Sequence, residues 1–340
     1  MERSDTMENQ TAMGFESVVG QDEIIEHLQN SIRHDKVSHA YLFSGQQGSG
    51  KKLMANLFAM TLQCEEKGIE PCMKCSSCKK ALAKSHPDII TLIRAKQNSI
   101  GVDEVREQIV ENASIRPYQG PYKIYLISDA QMMTPQAQNA LLKTIEEPPA
   151  YAMILLMTDN PEALLPTVLS RCVELRLKPV GDRLIREYLK ERLHLPEYQA
   201  GIQASFAQGS IGKALELSDD EVFSELTQEA VQILKRSKDT APFEQVERLA
   251  ALPRDKGEIF KHLELYTLWF RDVLMYKATK EIDGLIFREE IDAIKARAVV
   301  SSYEGLQTIL DAISTAVARL RANVNFELTM ELLFMTMRDY

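Results

Sequence analysis

No apolar run in this chain approaches the roughly 20 residues that cross a bilayer, so no helical membrane anchor is expected. The opening residues, Met1-Glu-Arg-Ser-Asp-Thr-Met-Glu-Asn-Gln10, lack the apolar centre of a secretory signal. Residues 1–14 therefore read as a short disordered lead, and the expected compartment is the cytoplasm. Basic charge is also short. Lysine and arginine number 40 against 49 acids, a net charge of -9. A chain that wraps nucleic acid unaided needs clustered cations to neutralise phosphates, so any DNA contact here must be local or shared. There is no internal repeat and no low-complexity segment.

Cysteine is scarce, five in 340 residues, yet four gather as Cys64-x7-Cys72-x2-Cys75-x2-Cys78. In a cytosolic chain these are poor candidates for disulfides. The spacing suggests a zinc ion held by four thiolates, a shell with no open position and hence a structural site. Four unligated thiols or a redox pair are the alternative. His86 is near enough to replace Cys64 as a ligand, or is a loop residue before Pro87.

What is present in quantity is ordinary globular material, 45% hydrophobic and 26% charged, enough for two or three domains. One stretch stands out. His39-Ala-Tyr-Leu-Phe-Ser-Gly-Gln-Gln-Gly-Ser-Gly-Lys-Lys52 matches a G-x-x-x-x-G-K-[ST] phosphate loop up to its last position. Gly45, Gly48 and Gly50 let backbone N–H groups turn toward phosphates, and Lys51 reaches the terminal ones. The next residue should offer a hydroxyl to magnesium. Here it is Lys52, which brings a positive charge instead, so metal-assisted hydrolysis is not expected. Nucleotide binding without hydrolysis stays open. The flanks suit the loop: Tyr41-Leu-Phe reads as a buried strand and Leu53–Met60 as a helix with an apolar face.

Further along, Asp88–Ile93 reads as a strand, Val102–Val110 as a helix, Tyr122–Ile127 as a strand, Pro135–Ile145 as a helix and Ala152–Met157 as a strand. Strands alternating with helices imply a parallel sheet and an α/β fold. Pro179-Val-Gly-Asp182 marks a boundary, with Asp182 as N-cap of a helix through Leu184, Ile185, Tyr188 and Leu189. Beyond it the strand signal does not return. Only Gly257, Gly284 and Gly305 of the fifteen glycines lie past residue 212, and Leu306, Ile309, Leu310, Ile313, Val317 and Leu320 recur at helical spacing. The C-terminal third is expected to be all helical. Its apolar residues Trp269, Phe270, Met330, Leu333, Phe334 and Met337 form either a bundle core or a subunit-packing surface.

The loop at 45–52, the four-cysteine insert after it, Asn139-Ala-Leu-Leu-Lys-Thr-Ile-Glu-Glu-Pro148 and Ser170-Arg-Cys172 together resemble bacterial sliding-clamp loader subunits of the AAA+ superfamily, those of DNA polymerase III. The resemblance covers residues 15 to about 218 motif by motif, and the remainder only in length and character. It implies an AAA+ P-loop parallel-sheet domain of RecA-like type at 15–178 with a zinc module at 64–86. It further implies a helical lid at 179–218 and an all-helical oligomerisation collar at 219–340.

In hydrolysing members the strand matching Tyr122–Ile127 leads into an Asp-Glu pair that holds the magnesium shell and orients water. Here the pair reads Ser128-Asp129. Both magnesium handles are altered together. Asp129 alone would pass for a turn carboxylate. The family's Ser-Arg-Cys arginine reaches a neighbour's nucleotide, which makes Arg171 the candidate arginine finger in trans. Read alone, Arg171 is a surface arginine paired to Glu174 or another acid. Val18-Val-Gly-Gln21 matches the adenine segment, Thr158 a polar sensor, and Gly209-Ser-Ile-Gly-Lys213 the lid sensor, with Lys213 where arginine is usual. Lys213 also reads as a solvated helix lysine.

The resemblance implies a non-hydrolysing, stator-like subunit that is not catalytic by itself. Its partners would be gamma/tau and delta subunits in a hetero-oligomer, the sliding clamp, and primed DNA reached through the complex. Its cofactors would be structural Zn2+ and, if the loop is occupied, ATP or ADP. The alternatives are an ATP-hydrolysing gamma/tau-like motor, and a zinc-dependent nucleic-acid-binding module with Lys79, Lys80 and Lys84 as its basic contact.

Overall fold

The computed structural model describes residues 14–96, 99–218, 221–238 and 254–340. The expected lead at 1–14 lies, apart from Gly14, outside the described residues. The chain divides into two compact units. One runs to Leu184 and includes Gly209–Lys213, and the other holds Ile185–Gln208 and Ala214–Tyr340.

The first unit is built on five strands, β1 (Ala40–Ser44), β2 (Ile89–Thr91), β3 (Lys123–Ile127), β4 (Ala152–Thr158) and β5 (Val173–Arg176), in the spatial order β2-β3-β4-β1-β5. Every pairing is parallel, with Phe43 of β1 opposite Met157 of β4 and Leu175 of β5. Such a sheet is covered on both faces, and its inner strands are correspondingly near-continuous apolar runs. Every residue of β1, β3 and β4 is buried. Tyr41, Phe43, Leu126 and Leu155 face one way, toward Leu57 and Phe58 of the helix Lys51–Leu62. Leu42, Tyr125, Ile127 and Leu156 face the other, toward Leu141 and Ile145 of the helix Pro135–Glu146.

The expected strands and helices of this unit appear, with two differences. The segment Val102–Val110 begins as a helix at Val102–Val105 but widens into a π turn at Arg106–Val110. Gln108 in that turn accepts from Ile93 N at 2.8 Å and donates to Ile93 O at 2.9 Å, just past β2 at the sheet edge. The second difference is β5, which the sequence reading did not anticipate. Only Leu175 of its four residues is buried, so its apolar signal is too short to register.

The second unit is helical throughout its described residues, as expected. Its longest helices are Lys256–Thr279 and Tyr303–Arg321, and Phe326–Asp339 closes the chain. Trp269, Phe270, Met330, Leu333, Phe334 and Met337 are all buried in its core with Leu306, Ile309 and Ile313. The core alternative therefore holds for these residues; the apolar side chains left outward on the last helix are Leu328, Leu332 and Met335. Two titratable groups are buried here. Asp272 Oδ2 accepts from Ile286 N at 2.7 Å and Phe287 N at 2.8 Å, and burial pushes its carboxyl up to about 6 despite those amides. His262 has no hydrogen bond to either ring nitrogen, Glu229 lies 4.0 Å away, and burial pulls its imidazole down to about 4.

Candidate functional site

The carboxyl ends of β1, β3 and β4 carry the chemistry-bearing loops, the place where ligands meet open parallel sheets. β1 runs directly into Gly45, and Gly50, at φ 93°, caps the helix Lys51–Leu62 in the left-handed region. Strand, loop and helix thus follow in the order a phosphate loop requires. Lys51 does not extend outward. Its Nζ donates to Gly45 O and Gln46 O, each at 2.7 Å. Burial lowers its pKa, while the charges of Asp159 and Asp129 work in the other direction. Lys52, next on the helix, is exposed.

The segment Gly209–Lys213 lies across the loop. Gly212 N donates to Gly48 O at 2.8 Å, and Ser210 Oγ donates to Gln47 O at 3.0 Å. The approach is close: a Cβ on Gly48, whose φ is 73°, would sit 2.3 Å from Ser210 Oγ. The segment is tied down in turn by Val180 N, which donates to Gly209 O at 2.9 Å. Buried Gln21, from the expected adenine segment, holds the neighbouring backbone from both sides. Its Nε2 donates to Lys178 O at 2.7 Å and its Oε1 accepts from Lys178 N at 3.2 Å.

At the end of β3, Asp129 adopts φ 53° and pairs with Arg94 at 3.0 Å. Nothing in the local sequence pattern marks Arg94 as a partner of this acid. Thr158 ends β4, buried, with its hydroxyl donating to Gln131 Oε1 at 2.8 Å and accepting from Asn160 N at 3.1 Å. That commits the expected sensor hydroxyl to its own loop through Asn160 and to the turn after β3 through Gln131.

Arg171 follows the short helix Pro166–Leu169 and precedes β5. Its Nη2 lies 2.9 Å from Glu146 Oε1, and its Nη1 donates to Thr167 O at 2.9 Å and Ser170 Oγ at 3.3 Å. Glu174 is not its partner; that carboxylate accepts from Ser44 Oγ at 2.8 Å. The acid that Arg171 meets, Glu146, lies within the Asn139–Pro148 motif, where nothing in the sequence marks it as a partner.

Away from the loop, Cys64, Cys72, Cys75 and Cys78 place their sulfurs within 4.8 Å of one another, with Cys72 Sγ and Cys78 Sγ 4.0 Å apart. A tetrahedral shell with metal–sulfur bonds of about 2.3 Å sets sulfurs about 3.8 Å apart, so the four fit a metal ion. Backbone amides favour the thiolates, enough to lower Cys75 overall, while burial holds Cys78 well above the usual thiol range and Cys72 is also raised. Cys75 N donates to Cys72 Sγ and Cys78 N to Cys75 Sγ, both at 3.3 Å. For Cys75, burial opposes ionisation, yet the amide of Cys78 and its neighbours bring the thiol down to about 7. Cys64 is in the cluster, and His86, its alternative, is engaged elsewhere. Its Nε2 meets Ser77 Oγ at 3.0 Å and its Nδ1 accepts from Asp88 N at 3.1 Å, which uses both ring nitrogens.

Residues 20–181 match the family model described as DNA polymerase III, delta subunit. The DNA polymerase III subunit delta' of Bacillus subtilis is 32% identical over 322 residues, 94% of this chain and 96% of that protein. The tau subunit of the same organism is 34% identical over 300 residues, 82% of this chain, which spans about half of tau, 53%. Among solved structures, a DNA polymerase III gamma subunit-related protein from Thermotoga maritima covers 93% of this chain and 98% of its own at 19% identity, with a TM-score of 0.45. With nearly the whole of the delta' subunit aligned at that identity, the chain belongs to the DNA polymerase III delta-prime subunit family.

Proposed function

We propose that this chain is a non-hydrolysing, stator-like subunit of the DNA polymerase III clamp loader. It supplies Arg171 in trans to a neighbouring ATPase subunit while the loader places a sliding clamp on primed DNA. The observation that carries this reading is the treatment of both magnesium handles. Lys52 stands where a hydroxyl ligand is needed, and Asp129, the remaining acid of the strand-end pair, is paired with Arg94 at 3.0 Å. Magnesium-assisted phosphoryl transfer needs those ligands, so this chain's own loop is a poor catalyst. An arginine, by contrast, needs only to be rigidly mounted and accessible. Arg171 is 39% exposed and stands on a turn fixed between a helix and the sheet.

The partners on this reading are the gamma/tau and delta subunits, with residues 219–340 as the collar that joins them and 179–218 as the lid. The ion for Cys64, Cys72, Cys75 and Cys78 is zinc, in a closed structural role. The loop at Gly45, Gly48, Gly50, Lys51 and Lys52 retains phosphate-binding chemistry but no turnover. The test is phosphate release by the purified chain alone and by the loader reconstituted with it. Silence alone, with loader turnover that drops on Arg171→Ala while the complex still assembles, is expected. Magnesium-dependent turnover by the isolated chain would favour the gamma/tau-like motor instead.

A further inference from the structure

The carboxylate opposite Arg171 is costly where it stands. Glu146 is the last residue of the helix Pro135–Glu146, followed by Glu147 and then Pro148-Pro149. A helix C-terminus carries a partial negative charge, so an acid there is disfavoured by about 0.3–1 kcal/mol. An exposed ion pair returns only about 0–1 kcal/mol. Glu146 and Arg171 are 46% and 39% exposed. Stability therefore does not account for an acid at this position.

Geometry does. The guanidinium has five N–H donors in a fixed plane. Two contacts, to Thr167 O and Ser170 Oγ, come from its own turn and both hold Nη1. The third, to Glu146 Oε1, comes from a different helix and holds Nη2, so the plane is tied to a second element as well as to its own turn. Among the described residues that leaves two donors uncommitted, enough for one phosphate oxygen or a forked pair. We infer that Glu146 is a positioning residue that holds the Arg171 guanidinium in the orientation it presents across a subunit boundary. The inference rests on the reading of Arg171 as acting in trans. A point contact of this kind matters because stabilising charge that develops in a transition state depends on donors fixed beforehand.

The experiment is a double-mutant cycle in the reconstituted loader. It compares steady-state ATP turnover and the ATP KM for the wild-type complex, Arg171→Ala, Glu146→Gln and the double variant. Assembly is checked by size-exclusion chromatography, and Glu146→Asp tests rescue by charge. Glu146→Gln is expected to lower kcat, by as much as about tenfold at the affected site, with KM nearly unchanged. The double variant should be no slower than Arg171→Ala alone, and Glu146→Asp should recover part of the loss. Loss in the double variant that multiplies the two single effects would overturn the inference, as would an unchanged or raised rate in Glu146→Gln when Arg171→Ala is slow. An Arg171→Ala loader that turns over normally would instead remove the parent reading, and this inference with it.

Discussion

Arg171 and Glu146 meet at 2.9 Å, and the contact joins two stretches that look unrelated in the sequence, Asn139–Pro148 and Ser170–Cys172. The two motifs are one structural unit: a helix end and a strand-entry turn locked by a single charge-assisted bond. Residues 25 positions apart are thereby made to answer to each other.

The four-thiol cluster predicts a stoichiometry. The purified protein should carry one metal ion, zinc by element analysis, and Cys78→Ala should lose it. Closed thiolate sites contribute directly to folding, so the same variant should melt several degrees lower, on the order of the shift that ~1–2 kcal/mol gives. His86→Ala should keep its metal, because both ring nitrogens of His86 are committed to Ser77 and Asp88. Loss of metal from His86→Ala would disprove the ligand set.

Restoring the phosphate loop's missing hydroxyl should not create an enzyme. Lys52→Thr returns a magnesium ligand at one handle, yet Asp129 remains paired with Arg94 and Ser128 still offers no carboxylate. Phosphate release by the isolated Lys52→Thr protein should stay at background. Turnover there would mean that the strand-end acid pair is dispensable.

Gly48 tests the closure of the loop. A side chain at φ 73° is strained, and its Cβ would fall 2.3 Å from Ser210 Oγ. Gly48→Ala should therefore destabilise the protein by about 1–3 kcal/mol in urea unfolding. Adding Ser210→Ala removes the shortest clash but neither the 3.1 Å approach to Lys213 N nor the backbone strain, so it should recover only part of the loss.

The buried His262 and Asp272 should pull stability in opposite directions with pH. His262 is held near 4 against an unfolded value near 6.5, so the unfolded chain binds more protons between those limits. Its contribution is complete above pH 6.5 and is lost as pH falls toward 4. Asp272 is held near 6 against about 3.9 unfolded, so the folded chain binds more protons there and its penalty eases as pH falls. Between pH 6 and 4 the two nearly cancel. Relative to wild type, His262→Leu should gain stability as pH drops from 7 to 4.5, and Asp272→Asn should lose it. The sole tryptophan, Trp269, sits in the same core and reports the unfolding by fluorescence.

Much of this was legible because the chemistry is local. The phosphate loop needs its glycines in a row, and the cysteines need short spacing; both lie within one short stretch of chain. The parallel sheet was legible because β1, β3 and β4 are buried on both faces and so are apolar without interruption. What stayed hidden is what depends on distant parts meeting. Arg94 and Asp129 are 35 positions apart, and Glu146 carried no mark to distinguish it from Glu147 beside it. β5 was missed because an edge strand with one buried residue has almost no pattern, and the π turn because a widened helix keeps a helical period.

Just past β2, the backbone at the sheet edge is met by a side chain. Gln108 presents one acceptor and one donor to the backbone of Ile93, as a neighbouring peptide would. An open edge ending in an outward isoleucine, 74% exposed, is a template on which a second chain can add itself. One amide therefore occupies the backbone that extends this edge past β2, and a chain carrying Gln108→Ala would be expected to gain a concentration-dependent tendency to self-associate.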